Sequence, residues 1–223
     1  VSLSFLTMLT NWNKLYERAQ MSKQSNPSTP YPRKVLYLSE RDVEPLITPA
    51  EALDHAETAF SLYAKSIKGQ NPASFSPMVA YHTKVPNSDI DYRSGTMDPI
   101  STLCSTIGFG YADNPAKFGL PSVYVFAVLT DVDTGVPKCL MAQGSFFLSF
   151  IRTGAAAVIA SKYLAKENPQ TITMIGAGNL AKHTLRCHIA QFGIPKQIKV
   201  WSRSRSTSEK FVSEMINDVT IPI

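Results

Sequence analysis

The 223-residue chain is 44% hydrophobic and 17% charged, which fits a folded globular protein and excludes a disordered one. Its 22 basic residues outnumber 17 acidic ones for a net charge of +5, yet no long Lys/Arg run is present, which argues against a nucleic-acid partner. Cys104, Cys139 and Cys187 stand far apart with no CxxC pair, so neither a disulfide framework nor a zinc cluster is expected, and a reducing compartment is favoured.

In chain order, the opening "VSLSFLTMLTNWNK" has no basic leading region, and Ser and Thr break its apolar core, so it does not read as a secretory signal. Met21 then opens a polar, proline-bearing stretch, "MSKQSNPSTPYPRK". Residues 1–33 are expected to form a leader or extension, with 1–20 either upstream sequence or an extra helix. No segment reaches the ~18 consecutive apolar residues of a membrane span. A short strand is expected over Val35–Leu38, with a helix starting at Ser39. The next helix is signalled more strongly: Thr48 can cap it, Pro49 suits its first position, and Glu51 completes a capping box. Leu53, Ala56, Phe60, Tyr63 and Ile67 recur at helical spacing as its core stripe, and Gly69 stops it.

Residues 70–101 lack long apolar runs and predict short strands and loops. "GLPSVYVFAVLTDVDTGVPKCLMA" predicts a hairpin turning at "DVDTG". That turn faintly resembles a calcium loop, but its glycine is one position early and its twelfth position is Ala142 rather than Glu. "SFIRTGAAAVIASKYLAKENPQ" predicts a helix with Ile151, Ala155, Val158, Ile159 and Leu164 as its buried stripe. Its alanines imply close packing against another element.

The densest chemistry lies in "TITMIGAGNLAKHTLRCHIAQFG". A strand over Ile172–Ile175, a GxGxxA turn at Gly176–Ala181, a helix over Asn179–Phe192 and a second strand, "IKVW", form the setting a dinucleotide site needs. Gly176 permits the tight turn, Gly178 lets a pyrophosphate approach the backbone, and Ala181 allows close helix–strand packing. The helix N-terminus supplies N–H donors and a positive dipole end to the phosphates. In an NAD site, a carboxylate at the end of the second strand bonds the ribose 2′-hydroxyl and would repel a 2′-phosphate. Here Ser202, Arg203 and Ser204 occupy that end, so NADP(H) fits better than NAD(H). The alternative is that Arg203 and Arg205 are solvated surface charges.

With these residues in view, the chain resembles the ornithine cyclodeaminase/mu-crystallin family from about Val35 onward. The resemblance rests on "VLYLSERDVEPLITPAEALDHAETAFSLYA", "NPAKFGLPSVYVFAVLTDVDTG", "IRTGAAAVIASKYLA", "MIGAGNLAKHTL" and "VWSRS". It implies an α/β enzyme: an N-terminal α+β substrate and dimerisation domain, expected over residues 34–168, followed by the first part of a Rossmann domain over 169–223. It also implies a homodimer in the cytoplasm, acting on a small amine, imine or amino acid.

Residue by residue, the resemblance gives Arg152 the grip on a substrate carboxylate, for which a planar guanidinium fork is suited. It sets Ser122 and Thr153 near the cofactor, and Gly178, Asn179, Leu180, Ser202, Arg203 and Ser204 against its phosphates and ribose. Two positions depart from the family pattern. Thr106 stands where the family has a lysine, eight residues before Asn114-Pro115, and Val79 stands where it has an early arginine. Neither side chain can hold an anionic group, so either the substrate differs or catalysis is weakened.

Three activities follow from the resemblance: an oxidoreductase acting on a C–N bond, a cyclodeaminase that expels ammonia from ornithine, or a non-catalytic NADPH-binding protein. The family's catalytic aspartate lies beyond the last residue. The chain stops at "NDVTIPI", where a third strand is expected, with only about fifty residues after Pro169. That is roughly a third of a typical domain, so the sequence is read as a fragment.

Overall fold

A computed structural model describes residues 35–70, 72–97, 100–143 and 147–218. The expected leader lies outside these residues, as does the "VTIPI" end of the expected third strand. The chain divides into two compact units, one containing residues up to Ile47 with Thr58–Ser149, the other Thr48–Glu57 with the chain from Phe150 onward.

The first unit is built on a seven-stranded sheet. Its strands are β1 (Leu36–Ser39), β2 (Ala73–Phe75), β3 (Val79–His82), β4 (Ser88–Met97), β5 (Ile100–Tyr111), β6 (Val123–Asp131) and β7 (Pro137–Gln143). They run in the order β1-β7-β6-β5-β4-β2, with β3 also pairing β4. Only β1 and β7 pair in parallel. Ser39 caps the short helix α1 (Glu40–Val43), so the first strand and helix start within one residue of expectation.

The predicted hairpin is β6–β7. At its turn the Asp131 carboxylate accepts from the Thr134 N–H (3.0 Å) and hydroxyl (2.8 Å) and pairs with Lys138 (2.9 Å). Lys138 foremost, then Thr134, hold the Asp131 carboxyl down at about 2.

Within residues 70–101, where short strands and loops are expected, β2 and β3 are short, but β4 runs for ten residues and the twelve-residue β5 begins at Ile100. The central strand β5 buries Thr102, Cys104, Thr106 and Gly108 on one face. Glycines weaken a strand signal, and Gly108 and Gly110 interrupt the one that the Thr and Ile residues of β5 carry. At Gly108 the missing side chain answers what faces it: a Cβ there would lie 2.9 Å from the Asp91 carboxylate on β4.

Helix α2 (Pro49–Ile67) starts with the predicted capping box. Thr48 Oγ1 accepts from the Glu51 N–H (3.2 Å), and the Glu51 carboxylate accepts from the Thr48 N–H (2.9 Å). Gly69 beyond its end has φ +81°. Its stripe needs correction. Leu53 and Ala56 are buried with Ala52 and Ala59, but Phe60 is 41% and Ile67 69% exposed. A line of residues at seven-residue intervals drifts about 20° per step around a straight helix. Leu53, Phe60 and Ile67 therefore leave the buried side while the alanines hold it.

Helix α4 (Phe147–Leu164; α3 is the short Asn114–Phe118 helix) belongs to the second unit from Phe150 onward and buries Ile151, Ala155, Val158 and Ile159 as expected. Leu164, its last residue, is 85% exposed. The chain continues as β8 (Thr171–Ile175), α5 (Asn179–Phe192), β9 (Gln197–Trp201) and α6 (Arg205–Asp218). The two strands pair in parallel with Ile175 opposite Trp201. Ile172, Ile198, Leu185, Phe211 and Met215 form the buried cluster beneath α5 and α6, with Ala181 packed against it. The close approach implied by the small residues of α4 is made at Gly154, where a Cβ would lie 2.8 Å from the Thr184 backbone nitrogen on α5.

Candidate functional site

The glycine turn links β8 to α5. Gly176 has φ +115°, a conformation that glycine adopts without strain, and its N–H donates to the Trp201 carbonyl at 2.9 Å. The turn and the loop after β9 therefore leave the small sheet at the same end. Gly178 differs from Gly176. It is the N-cap of α5 with φ −93° and ψ −176°, ordinary extended backbone, and a Cβ there would meet nothing within 4 Å. Neither backbone geometry nor crowding inside the protein requires glycine at this position. No side chain caps the helix and its first turn holds no acid, which leaves N–H donors facing outward. A cradle that a side chain would fill, at a helix N-terminus, fits a phosphate-bearing cofactor.

After β9, the three predicted residues behave differently from one another. The Ser202 hydroxyl donates to the Ser204 carbonyl (2.6 Å) and shares a hydrogen bond with Ser208 (2.7 Å), so it shapes the loop. Ser204 accepts from the Thr207 N–H at the start of α6 (3.2 Å to its carbonyl) and contacts the Ser206 hydroxyl (2.7 Å). Arg203 is exposed, and Arg205 pairs with Glu209 (2.8 Å). Asn179 and Leu180 are exposed on the first turn of α5.

Gly176, Gly178, Asn179, Leu180, Ser202, Arg203 and Ser204 thus gather at one end of β8 and β9. Arg152 and Thr153 sit half-buried on α4 in the same unit. Beside them Phe150 stacks on His183 of α5, with ring centroids 6.1 Å apart. Ser122 belongs to the first unit, where its carbonyl accepts from the Tyr111 N–H (2.6 Å). Thr106 is buried on β5 and Val79 is 60% exposed on β3. All three cysteines are buried; burial pushes the Cys139 and Cys187 thiols up to about 12 and Cys104 upward as well. Such thiols are poor nucleophiles.

One feature escaped the sequence reading. A cleft of about 400 Å³ opens between the glycine turn and the first turns of α6, with Ala177 and Asn179 on one wall and Ser206 and Thr207 on the other. Lys182, Lys210 and Glu214 also line it, and Phe211 contributes to its wall. Lys182 reaches Glu214 (2.5 Å) and the Asn179 side-chain oxygen (3.2 Å). Lys182 and Asn179 lie in the nucleotide helix, but Ser206, Thr207, Lys210, Phe211 and Glu214 lie on α6, whose packing carries no signal in the residue order.

The ornithine cyclodeaminase/mu-crystallin family pattern matches residues 33–223. This chain belongs to that family. Alanine dehydrogenase of Archaeoglobus fulgidus is 31% identical over 185 residues, covering 81% of this chain and 52% of that protein. Among solved structures, Δ1-pyrroline-2-carboxylate reductase of Thermococcus litoralis, in complex with NADH and L-proline, is similar at TM-score 0.75 and 30% identity. That match covers 85% of this chain and 56% of the other. An archaeal alanine dehydrogenase dimer with bound NAD is similar at TM-score 0.72 and 28% identity, covering 84% and 55%. The chain thus spans about half the length of these relatives. The expected α/β fold of the family is present.

Proposed function

We propose that this chain is part of a nicotinamide-dependent oxidoreductase acting on a C–N bond, of the ketimine reductase or amino-acid dehydrogenase type. The observation that carries this reading is the space at Gly178, left open at the N-terminus of a helix between two parallel strands. The names of the relatives, a pyrroline-carboxylate reductase and alanine dehydrogenases, supply the reaction class. When bound, the cofactor supplies hydride chemistry. The protein's part is to hold it: the α5 N–H groups take the pyrophosphate, with Gly176, Asn179, Leu180 and the Ser202–Ser204 loop around it and Ser122 and Thr153 nearby.

Arg152 is the group proposed to grip the carboxylate of a small amine, imine or amino-acid substrate. With Thr106 and Val79 at the other two positions, no second cation comes from those sites, which favours a substrate holding its carboxylate on one guanidinium. The acid-free end of β9 favours NADP(H) over NAD(H). A cytoplasmic homodimer completes the reading. One face of the seven-stranded sheet exposes Tyr37, Val79, Tyr81, Tyr92 and Phe126, an apolar surface of the kind that a second copy covers. Among the described residues, no helix is long and apolar enough to cross a membrane.

The test is Gly178→Val, followed by energy transfer from tryptophan to bound NADPH. Binding should be lost while the thermal midpoint stays nearly unchanged, because a β-branched residue accepts this extended backbone and a Cβ here meets no protein atom within 4 Å. NADPH affinity equal to that of the parent chain would sink the nucleotide reading. Reduction of a cyclic ketimine with NADPH, without ammonia release from ornithine, is the expected activity of a form as long as the relatives.

A further inference from the structure

The cleft between α5 and α6 holds charged groups that the proposed cofactor contacts do not use. Lys182 and Lys210 enter it from opposite helices, and Glu214 is the acid among its lining residues. Two positive charges against one negative leave it net positive. Glu214 is already committed to Lys182 at 2.5 Å, and the Lys182 ammonium, with the Lys210 charge adding to it, holds its carboxyl below the usual range. The Lys210 ammonium makes no hydrogen bond or ion pair among the described residues. The hydroxyl-bearing residues Ser206 and Thr207 stand on the same wall, one turn above Lys210 on α6. The opposite wall, Ala177 and Asn179, is the glycine turn itself. Arg203 does not line the cleft, and the Arg205 side chain is 92% exposed and paired with Glu209.

Resting on the nucleotide reading of that turn, we infer that this cleft is the seat of a phosphate monoester, the 2′-phosphate of the cofactor, and that Lys210 sets the preference for NADP(H). An anion entering between the two helices meets the Lys210 ammonium, which has no hydrogen bond or ion pair among the described residues, with neighbouring hydroxyls and the N-terminal end of α6, each favourable to negative charge. Arg203, on the exposed loop, screens the phosphate from outside.

The test compares adenosine 2′,5′-bisphosphate with 5′-AMP by calorimetry on the whole chain, since the two differ only in the 2′-phosphate. The bisphosphate should bind about ten- to a hundredfold more tightly. Lys210→Ala should remove most of that ratio and leave 5′-AMP unchanged, Lys210→Arg should keep it, and Arg203→Ala should remove less than Lys210→Ala. Glu214→Gln, which withdraws a carboxylate from the cleft, should tighten the bisphosphate roughly two- to fivefold. An unchanged ratio in Lys210→Ala, a loss in Arg203→Ala as large as in Lys210→Ala, or weaker binding in Glu214→Gln would overturn the assignment. Failure of both compounds to bind at millimolar concentration is a separate result: it removes the nucleotide reading, and this inference with it.

Discussion

The two sheets of this protein solve burial in opposite ways. In the seven-stranded sheet, the buried face of the central strand β5 is small and polar, with Thr102, Cys104, Thr106 and Gly108, while large apolar groups such as Tyr92 and Phe126 lie on the other face, 44% and 40% exposed. In the two-stranded sheet the sides are cleanly sorted. Ile172 and Ile198 are buried under α5 and α6, while Ile175 and Trp201, paired in register on the opposite face, are 82% and 58% exposed. Parallel strands are ordinarily covered on both faces, so this face is bare within the described residues. Alternation therefore marks a buried face only where large apolar residues do the filling.

The largest effect is expected where packing is densest. Phe211 is 1% exposed in the cluster beneath α5 and α6, and Phe211→Ala should cost about 3–5 kcal/mol. Chemical denaturation measures the loss, and hydrogen exchange should show it first in β8 and β9. A cost under 1 kcal/mol would mean that α6 is not seated on these strands.

Next in size is Gly95→Ala on β4, where a Cβ would stand 2.7 Å from the Ser74 carbonyl. The neighbour is backbone and cannot swing away, so about 1–3 kcal/mol is expected. A neutral result would show that β2 pairs loosely with β4. Ile175→Thr should change stability by no more than about 0.5 kcal/mol, since the side chain is exposed. A larger loss would reveal a cover on that face.

The smallest effect is electrostatic. Asp131, held at about 2 by Lys138 and Thr134, lies below the ordinary carboxylate value of about 3.9. A depressed pKa stabilises the folded state above the unfolded value, and this contribution is lost as pH falls through about 2. Asp131→Asn should therefore flatten the decline in stability between about pH 4 and 2. An identical acid limb in mutant and parent would show that the turn does not depend on this pair.

What depends on neighbours along the chain was legible in the order of residues. The Thr48–Glu51 box, the stop at Gly69, the β6–β7 turn and the β8–α5–β9 unit are all set by capping, backbone freedom and local periodicity, which short-range residue order encodes. The gathering of Gly176, Gly178, Asn179 and the Ser202–Ser204 loop was legible for the same reason, because one short crossover brings two strand ends together. Which groups the small side chains make room for emerges only when strand packs on strand. Gly108 shows its reason only beside β4, because the missing side chain makes room for the Asp91 carboxylate on that strand. Phe60, Ile67 and Leu164 looked like core by spacing, yet burial depends on what packs over a helix, and the alanines took that side. The cleft with Lys182 on α5 and Lys210 on α6 is likewise invisible in the order of residues: two like charges twenty-eight positions apart become neighbours only when two helices lie side by side on the same strands.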